Sequence, residues 1–353
     1  MPVEPMGWVP PAPASASLTA LPLHDEPRTV PYGSWCADEG TRECAPARRG
    51  DRLVTLVAHL SDLHVTEPRW SARGEITPKR VLGKLSWHLR RRHEHRPEVL
   101  ELLARDLDRA APDRVLITGD VTNQGLPAEL REGGRWLDRL GGPQRVFLVP
   151  GNHDVYVPGS SVALAQAWAR FPAPTADGCE PRVDVEGDLA LVGVSSARAT
   201  PPLFATGRVG RHARLRLERC LRRLAGGGLA RVVLIHHPPW AGGISRRRVL
   251  EDAQPLRDLL ARAGAGLVLH GHVHKTVFSE TPGPDGPIPV VGVPSASALG
   301  RRGPERRARY HLLRRIRGGG FECRIRVLSA DGTRFTDGGQ CQLGGGDARS
   351  ADR

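Results

Sequence analysis

No two cysteines in this 353-residue chain lie in a CxxC or other tight pair, although six are present: Cys36, Cys44, Cys179, Cys220, Cys323 and Cys341. That spacing excludes a zinc knuckle and gives no disulfide framework. It suits a reducing cytosol. No uninterrupted apolar run approaches the roughly 18 residues a membrane-spanning helix requires. The N-terminus lacks the charged start and continuous apolar stretch of a secretory signal. Aromatic residues make up only 5% of the chain. They are not interleaved with basic residues in the manner of a stacking platform, so nucleic-acid binding gains no support.

The chain does contain enough apolar material for a full core, with 39% hydrophobic and 25% charged residues. Its formal net charge of +13 favours acidic partners such as phosphate-bearing substrates, nucleic acid or anionic lipid. The same surplus also suits a merely solvated surface. Residues 1–50 open on a Pro/Ala/Ser-rich stretch and read as a loosely packed tail. Residues 51–330 read as one domain, and 331–353 as a second loose tail.

Within the domain, short apolar runs alternate with helical patterns. Runs 54–60, 114–118, 145–149, 189–194, 231–235 and 266–269 predict buried strands. Segments 97–110, 127–140, 161–171, 211–224 and 254–263 predict helices packed over them. Runs 290–293, 309–316 and 321–328 predict later strands in antiparallel pairing. The layout is α/β with a single core.

Five short stretches rich in histidine and carboxylate each follow one of the apolar runs: Asp62-Leu63-His64, Gly119-Asp120, Gly151-Asn152-His153-Asp154, His236-His237 and Gly271-His272-Val273-His274. In open α/β sheets ligands bind beyond the carboxyl ends of strands, so these distant stretches can converge. Extended backbone would point Asp62 and His64, and likewise His272 and His274, to one side. Asp120 has two oxygens with which to bridge two cations. Asn152 offers an amide oxygen, and His236 a further nitrogen. His153 is a candidate to contact a phosphate oxygen or protonate a leaving group, with Asp154 holding its imidazole in one tautomer. Oxygen and imidazole donors in this number suit two divalent or trivalent transition-metal ions, Mn, Fe or Zn alike.

The blocks SDLH, GD, GNHD, HH and GHVH, in this order over about residues 53–300, resemble the calcineurin-like metallophosphoesterase superfamily. Their wording is most similar to the bacterial class III cyclic-nucleotide phosphodiesterases. The resemblance implies a four-layer α-β-β-α sandwich with mixed sheets. It also implies that Asp62, His64 and His274 hold one metal, that Asn152, His236 and His272 hold the other, and that Asp120 bridges them. His153 would contact the phosphate. The implied reaction is hydrolysis of a phosphoric diester by a hydroxide bridging the metal pair. The alternatives are a UDP-2,3-diacylglucosamine pyrophosphatase-type hydrolase at a membrane surface, and a non-catalytic scaffold of the same fold. His237 and His270 are extra histidines, read either as outer partners of the ligands or as ordinary buried side chains.

Residues 76–96 form a basic insertion between the first two blocks. Val81, Leu82, Leu85 and Leu89 share a helical face, and basic residues cover most of the rest. One reading lays 79–93 on an anionic membrane, which would make the protein cytoplasmic and peripheral to the inner face. The other packs the apolar face on the sandwich and leaves the arginines in water. Arg246-Arg247-Arg248, Arg301-Arg302 and Arg306-Arg307 are basic clusters that suit either a cleft wall or a solvated loop. Oligomeric state, metal identity and physiological substrate have no signature in the sequence.

Overall fold

The computed structural model describes residues 55–344, apart from 172–173, 175–180 and 241. The expected 1–50 tail lies outside the described residues. Two six-stranded sheets stack face to face. The first contains β1 (Leu56–Leu60), β2 (Arg114–Ile117), β3 (Val146–Leu148), β10 (Arg309–Arg315), β11 (Phe321–Leu328) and β12 (Phe335–Leu343), in the order β12-β11-β10-β1-β2-β3. The second contains β4 (Arg182–Glu186), β5 (Leu189–Gly193), β6 (Ala230–Leu234), β7 (Leu267–His270), β8 (Val277–Thr281) and β9 (Ile288–Gly292), in the order β4-β5-β6-β7-β9-β8.

Among the described residues, seven α-helices accompany the sheets: α1 (Pro78–Ser86), α2 (Arg92–Glu94), α3 (Pro97–Ala110), α4 (Pro127–Arg139), α5 (Ser160–Ala167), α6 (Arg211–Leu224) and α7 (Ala253–Ala263). A π-helical turn, Trp87–Arg91, joins α1 to α2. Three apolar layers separate four structural ones. Leu100, Leu103 and Leu107 of α3 and Leu130 and Leu137 of α4 pack on the first sheet. Leu217 and Leu221 of α6 and Leu256 and Leu260 of α7 pack on the second. Leu116, Phe147, Leu191, Leu234, Leu269 and Ile325 fill the space between the sheets. Alternate residues of one strand serve different layers: Val115 and Ile117 of β2 meet the helices, while Leu116 meets the other sheet. Burial on both faces is why these strands read as continuous apolar runs. The α-β-β-α sandwich is the architecture that the resemblance of the five blocks implied.

Three expectations are corrected. Residues 335–343 are a strand, β12, paired antiparallel with β11, so this part of the expected 331–353 tail is sheet; residues 345–353 lie outside the described residues. Gly338 and Gly339 within this edge strand obscure its pattern. Strand β9 runs parallel to β7 and antiparallel only to β8. The helix α1 and the π-helical turn after it put their apolar face outward: Val81, Leu82, Leu85 and Leu89 are exposed, while Lys79, Arg80 and Trp87 are buried. Lys79 Nζ donates to Thr200 Oγ1 at 2.7 Å, and Arg80 donates to the carbonyls of Glu75, Gln124 and Gly125. Satisfied hydrogen bonds make the burial of those two cations tolerable. The register of β11 and β12 also sets the free thiols of Cys323 and Cys341 opposite each other, a proximity with no trace in their sequence spacing. No helix among the described residues is long and apolar enough to cross a membrane.

Asp106 of α3 anchors the first helical layer to its sheet. Its carboxylate accepts from Tyr310 Oη at 2.6 Å and from Arg326 Nη2 and Nε at 2.8 and 2.9 Å. Removing it strands a buried hydroxyl and a half-buried guanidinium. Asp106→Ala should therefore lose about 2–3 kcal/mol in urea unfolding, the Arg326 share being reduced by solvent. An unchanged midpoint and slope would contradict this account of the layer.

Candidate metal centre

The parallel strands β1, β2 and β3 of one sheet and β5, β6 and β7 of the other all end at one edge of the sandwich. The loops that leave β1, β2, β3, β6 and β7 there carry the five sequence blocks. Asp62, His64, Asp120, Asn152, His153, His236, His272 and His274 come together around a cleft of about 330 Å³.

The backbone achieves this by turning and not by extension, which corrects the i, i+2 argument. Asp62, His64, Asp120, His272 and His274 all adopt left-handed conformations, with φ of 53°, 47°, 54°, 69° and 52°. They are five of the seven non-glycine residues with positive φ among the described residues. Such backbone costs about 1 kcal/mol or more per residue and concentrates where function demands it. The intervening Leu63 is buried in the core, which pins the first turn. Cross-loop hydrogen bonds hold the rest: Asp62 N donates to Gly119 O at 2.9 Å and His64 N to Asp120 O at 3.0 Å. The buried Glu129 at the start of α4 accepts from the amides of Asn123, Gln124 and Leu126 and from Thr66 Oγ1, fixing the loop after β2.

The imidazoles are oriented by carbonyls. His64 Nδ1 donates to Thr122 O at 2.9 Å, His236 Nδ1 to Thr118 O at 2.6 Å, and His272 Nε2 to Arg248 O at 2.9 Å. Since a carbonyl can only accept, each neutral ring presents its other nitrogen as a lone pair. His236 Nε2 thereby lies 3.2 Å from Asn152 Oδ1, 3.4 Å from Asp120 Oδ2 and 3.3 Å from His272 Nδ1. On the other side of the centre, Asp62 Oδ1 lies 2.9 Å from His274 Nε2. The donor atoms of Asp62, His64 and His274 lie within 4.8 Å of one another, as do those of Asp62, Asp120 and His236. A third such group adds His237 to His236 and His272.

A cluster of acceptors with so few protons between them requires positive charge. Burial alone would raise Asp62, but the His274 charge and hydrogen bond hold its carboxyl well below the usual range. Burial alone would lower His236, but Asp120 and then Asp62 push it up to about 9. The Arg91 guanidinium, 3.0 Å from His64 Nε2, and a proton on His236 each supply positive charge there; a metal ion is another source, and the oxygen and imidazole donor set fits one.

His153 and Asp154 behave differently from expectation. His153 Nδ1 donates to Asn123 O at 2.6 Å, so a backbone carbonyl sets its tautomer. Asp154 instead accepts from the amides of Gly151 and Thr122 at 2.9 Å each and from Thr122 Oγ1 at 3.0 Å. It clamps the loops after β2 and β3 together and does not orient His153, because the tight Gly151–Asp154 turn folds its carboxylate inward. Burial and the Asp120 charge push the Asp154 carboxyl up to about 7, against the pull of those donors. Burial and the neighbouring Arg91 lower His153 to about 3.

Arg91 is a site residue that the sequence did not single out. Its guanidinium lies 3.0 Å from His64 Nε2 and 3.3 Å from both ring nitrogens of His153. Nothing in the run Arg90-Arg91-Arg92 marks the middle arginine; only the π-helical turn aims it inward. His95 was also missed: it packs 4.6 Å from the His64 ring and bonds Ser295 and Ser297. Of the other basic clusters, Arg248, Arg302 and Arg306 line the cleft. His237 is held by Ser196 Oγ at 2.8 Å and Ala205 O at 3.2 Å, and His270 donates to Gly271 O beneath Trp240.

Residues 55–276 match the family model for calcineurin-like phosphoesterase. The chain is 23% identical, over 81% of its own length and 97% of the relative's, to a probable cyclic nucleotide phosphodiesterase of Synechococcus sp.. Two solved structures share its fold. A dimetal phosphatase from Danio rerio superposes with a TM-score of 0.51 at 10% identity, covering 82% of this chain and 99% of that one. The purple acid phosphatase PPD1 from yellow lupin (Lupinus luteus) seeds gives 0.54 at 13% identity, covering 80% and 53%.

A Cβ on Gly151 would overlap Asp120 Oδ1 and the Asp120 amide. Gly151→Ala should therefore keep the fold by circular dichroism yet lower metal-dependent phosphoester hydrolysis about a hundredfold, the effect of a displacement near 1 Å. Full activity in this variant would show that Asp120 need not stand where it does.

Proposed function

The chain belongs to the calcineurin-like phosphoesterase family, and from that premise we propose that this metal-dependent phosphoester hydrolase acts on phosphoric diesters. The observation that carries the reading is the convergence of His236 Nε2, His272 Nδ1, Asn152 Oδ1 and Asp120 Oδ2 beside the Asp62–His274 pair. Asp62, His64 and His274 would hold one cation, Asn152, His236 and His272 the other, and Asp120 would contribute to both. When bound, the cations supply Lewis-acid charge neutralisation and lower the pKa of an attacking water.

The chain's own groups account for substrate handling. Arg91 donates toward the centre from α1's continuation, and Arg248, whose Nη2 donates to His272 O at 2.8 Å, flanks the opposite wall. A planar guanidinium suits a phosphoryl oxygen and keeps its proton, and so its charge, at neutral pH. His153, with Nδ1 committed to Asn123 O, offers Nε2 as an acceptor. It can pass a proton to a leaving oxygen only after taking one up, so its resting role is to accept a hydrogen bond. Arg302 and Arg306 at the rim extend the cationic wall beyond the reach of a single phosphoryl group.

A cyclic nucleotide or other small diester is the default substrate, in keeping with the similarity to a probable cyclic nucleotide phosphodiesterase of Synechococcus sp.. A second reading, a UDP-2,3-diacylglucosamine pyrophosphatase-type hydrolase, draws on the exposed aliphatic face of α1 beside the cleft. Activity in the cytoplasm fits both.

With Mn-loaded protein, Asp120→Ala should lower kcat on bis(4-nitrophenyl) phosphate by about a thousandfold, or ~4 kcal/mol. An unaltered rate would refute the catalytic assignment. Arg302→Ala and Arg306→Ala should each raise KM several-fold for a diester bearing a second phosphate, and change it little for the simple chromogenic diester. Equal effects on both substrates would remove the rim arginines from recognition. Turnover of cyclic nucleotides without turnover of the UDP-lipid would decide against the second reading.

A further inference from the structure

Segment 76–93 contains no acidic residue and carries six lysines and arginines. Its burial is the reverse of an ordinary amphipathic helix. The cations Lys79 and Arg80 point inward and are satisfied by hydrogen bonds. Val81, Leu82, Leu85 and Leu89, spaced as one helical stripe, stand in water at 45%, 43%, 54% and 66% exposure. A helix recruited only to cover the sandwich would bury that stripe.

A second apolar point stands beside it. Leu203 is 68% exposed with φ of 67°, at the tip of the turn closed by Phe204 N donating to Pro201 O. A β-turn position with positive φ is normally given to glycine. Phe204 is 42% exposed. This turn is tied to α1, because Thr200 Oγ1 receives Lys79 Nζ and itself donates to Phe204 O at 2.6 Å. Cations accompany both points: Lys84, Arg90 and Arg92 on the segment, and Arg247 with its guanidinium 5.8 Å from the Phe204 ring.

We propose that the α1 stripe and the Leu203–Phe204 turn form a docking surface for an anionic bilayer, with the aliphatic side chains entering the headgroup–acyl boundary and the flanking cations meeting lipid phosphates. A second copy of this chain fits less well, since it would oppose one basic face with another on a protein of net charge +13. Aliphatic side chains offer nucleic acid no stacking surface. Ser86, Arg90 and Arg91 of the same segment, with Ala205 after the turn, line the cleft. Docking therefore turns the cleft mouth toward the membrane surface. The inference goes beyond the hydrolase reading and does not need it.

The test is flotation of the full-length protein with vesicles of phosphatidylglycerol and phosphatidylcholine, or of phosphatidylcholine alone. Wild type should float with the anionic vesicles, much less with neutral ones, and less as salt rises. The double variant Leu85→Glu, Leu89→Glu should lose about tenfold or more of that binding, as should Leu203→Glu separately. Both should keep wild-type hydrolysis of a soluble chromogenic diester, which would separate loss of docking from loss of fold or catalysis. Absent flotation, equal binding by the variants or equal binding to neutral vesicles would overturn the proposal. So would a wild-type dimer in size-exclusion chromatography that the double variant dissociates.

Discussion

Positive charge at the meeting point of two sheet edges is the constraint on which the rest of the site depends. Two buried carboxylates, an amide oxygen and several imidazole lone pairs face one another there, and acceptors cannot satisfy acceptors. The carbonyls of Thr118, Thr122 and Arg248 fix the ring tautomers so that lone pairs, and not N–H groups, face the centre. Neutral or anionic groups alone would make the arrangement repulsive. Five left-handed residues add backbone strain of about 1 kcal/mol or more each. The surrounding structure holds them because rigid parallel strands on both sides end at the same edge, and because Asp154 and Glu129 clamp the loops between. A cation held by Asp62, Asp120 and the imidazoles would turn the repulsion into coordination and supply Lewis-acid chemistry there.

Much of this was legible in the sequence, for a physical reason. Both sheets are buried on both faces, so their central strands appear as unbroken apolar runs, and blocks following those runs had to lie at strand ends. Helices α3 and α6 were bounded correctly by their proline or glycine starts and their apolar periodicity. What escaped was whatever depends on the third dimension. Edge strands β8 and β12 alternate weakly, and β4 alternates but leaves Val183 and Val185 exposed, so none of the three carries the continuous apolar run that marks the buried strands. The role of Arg91 depends on a π-helical turn that aims one arginine of three toward His153. Asp154 looked like a partner of its neighbour His153, but adjacent residues rarely face each other, and Asn123 O arrives from another loop to take that place.

The basic segment shows how pattern and burial can part company. Hydrophobic periodicity on α1 correctly predicted a helix and, on the plainer reading, the wrong buried face. The interior beneath α1 is polar: Gln124, Thr200 and Tyr156 offer hydrogen bonds and a ring face to Lys79 and Arg80, and no aliphatic cavity to Leu85 or Leu89. Cations go in because partners await them, and the aliphatic stripe is left outside. The same segment then continues through Trp87 into Arg91, joining the outer surface to the reacting centre within one turn of chain.

Anomalous diffraction from crystals of the Mn-loaded protein tests the central claim most directly. The account predicts two peaks in the cleft: one among Asp62, His64 and His274, the other among Asn152, His236 and His272, with Asp120 reaching both. A single peak remote from Asp120, or no bound metal with these side chains unmoved, would contradict it.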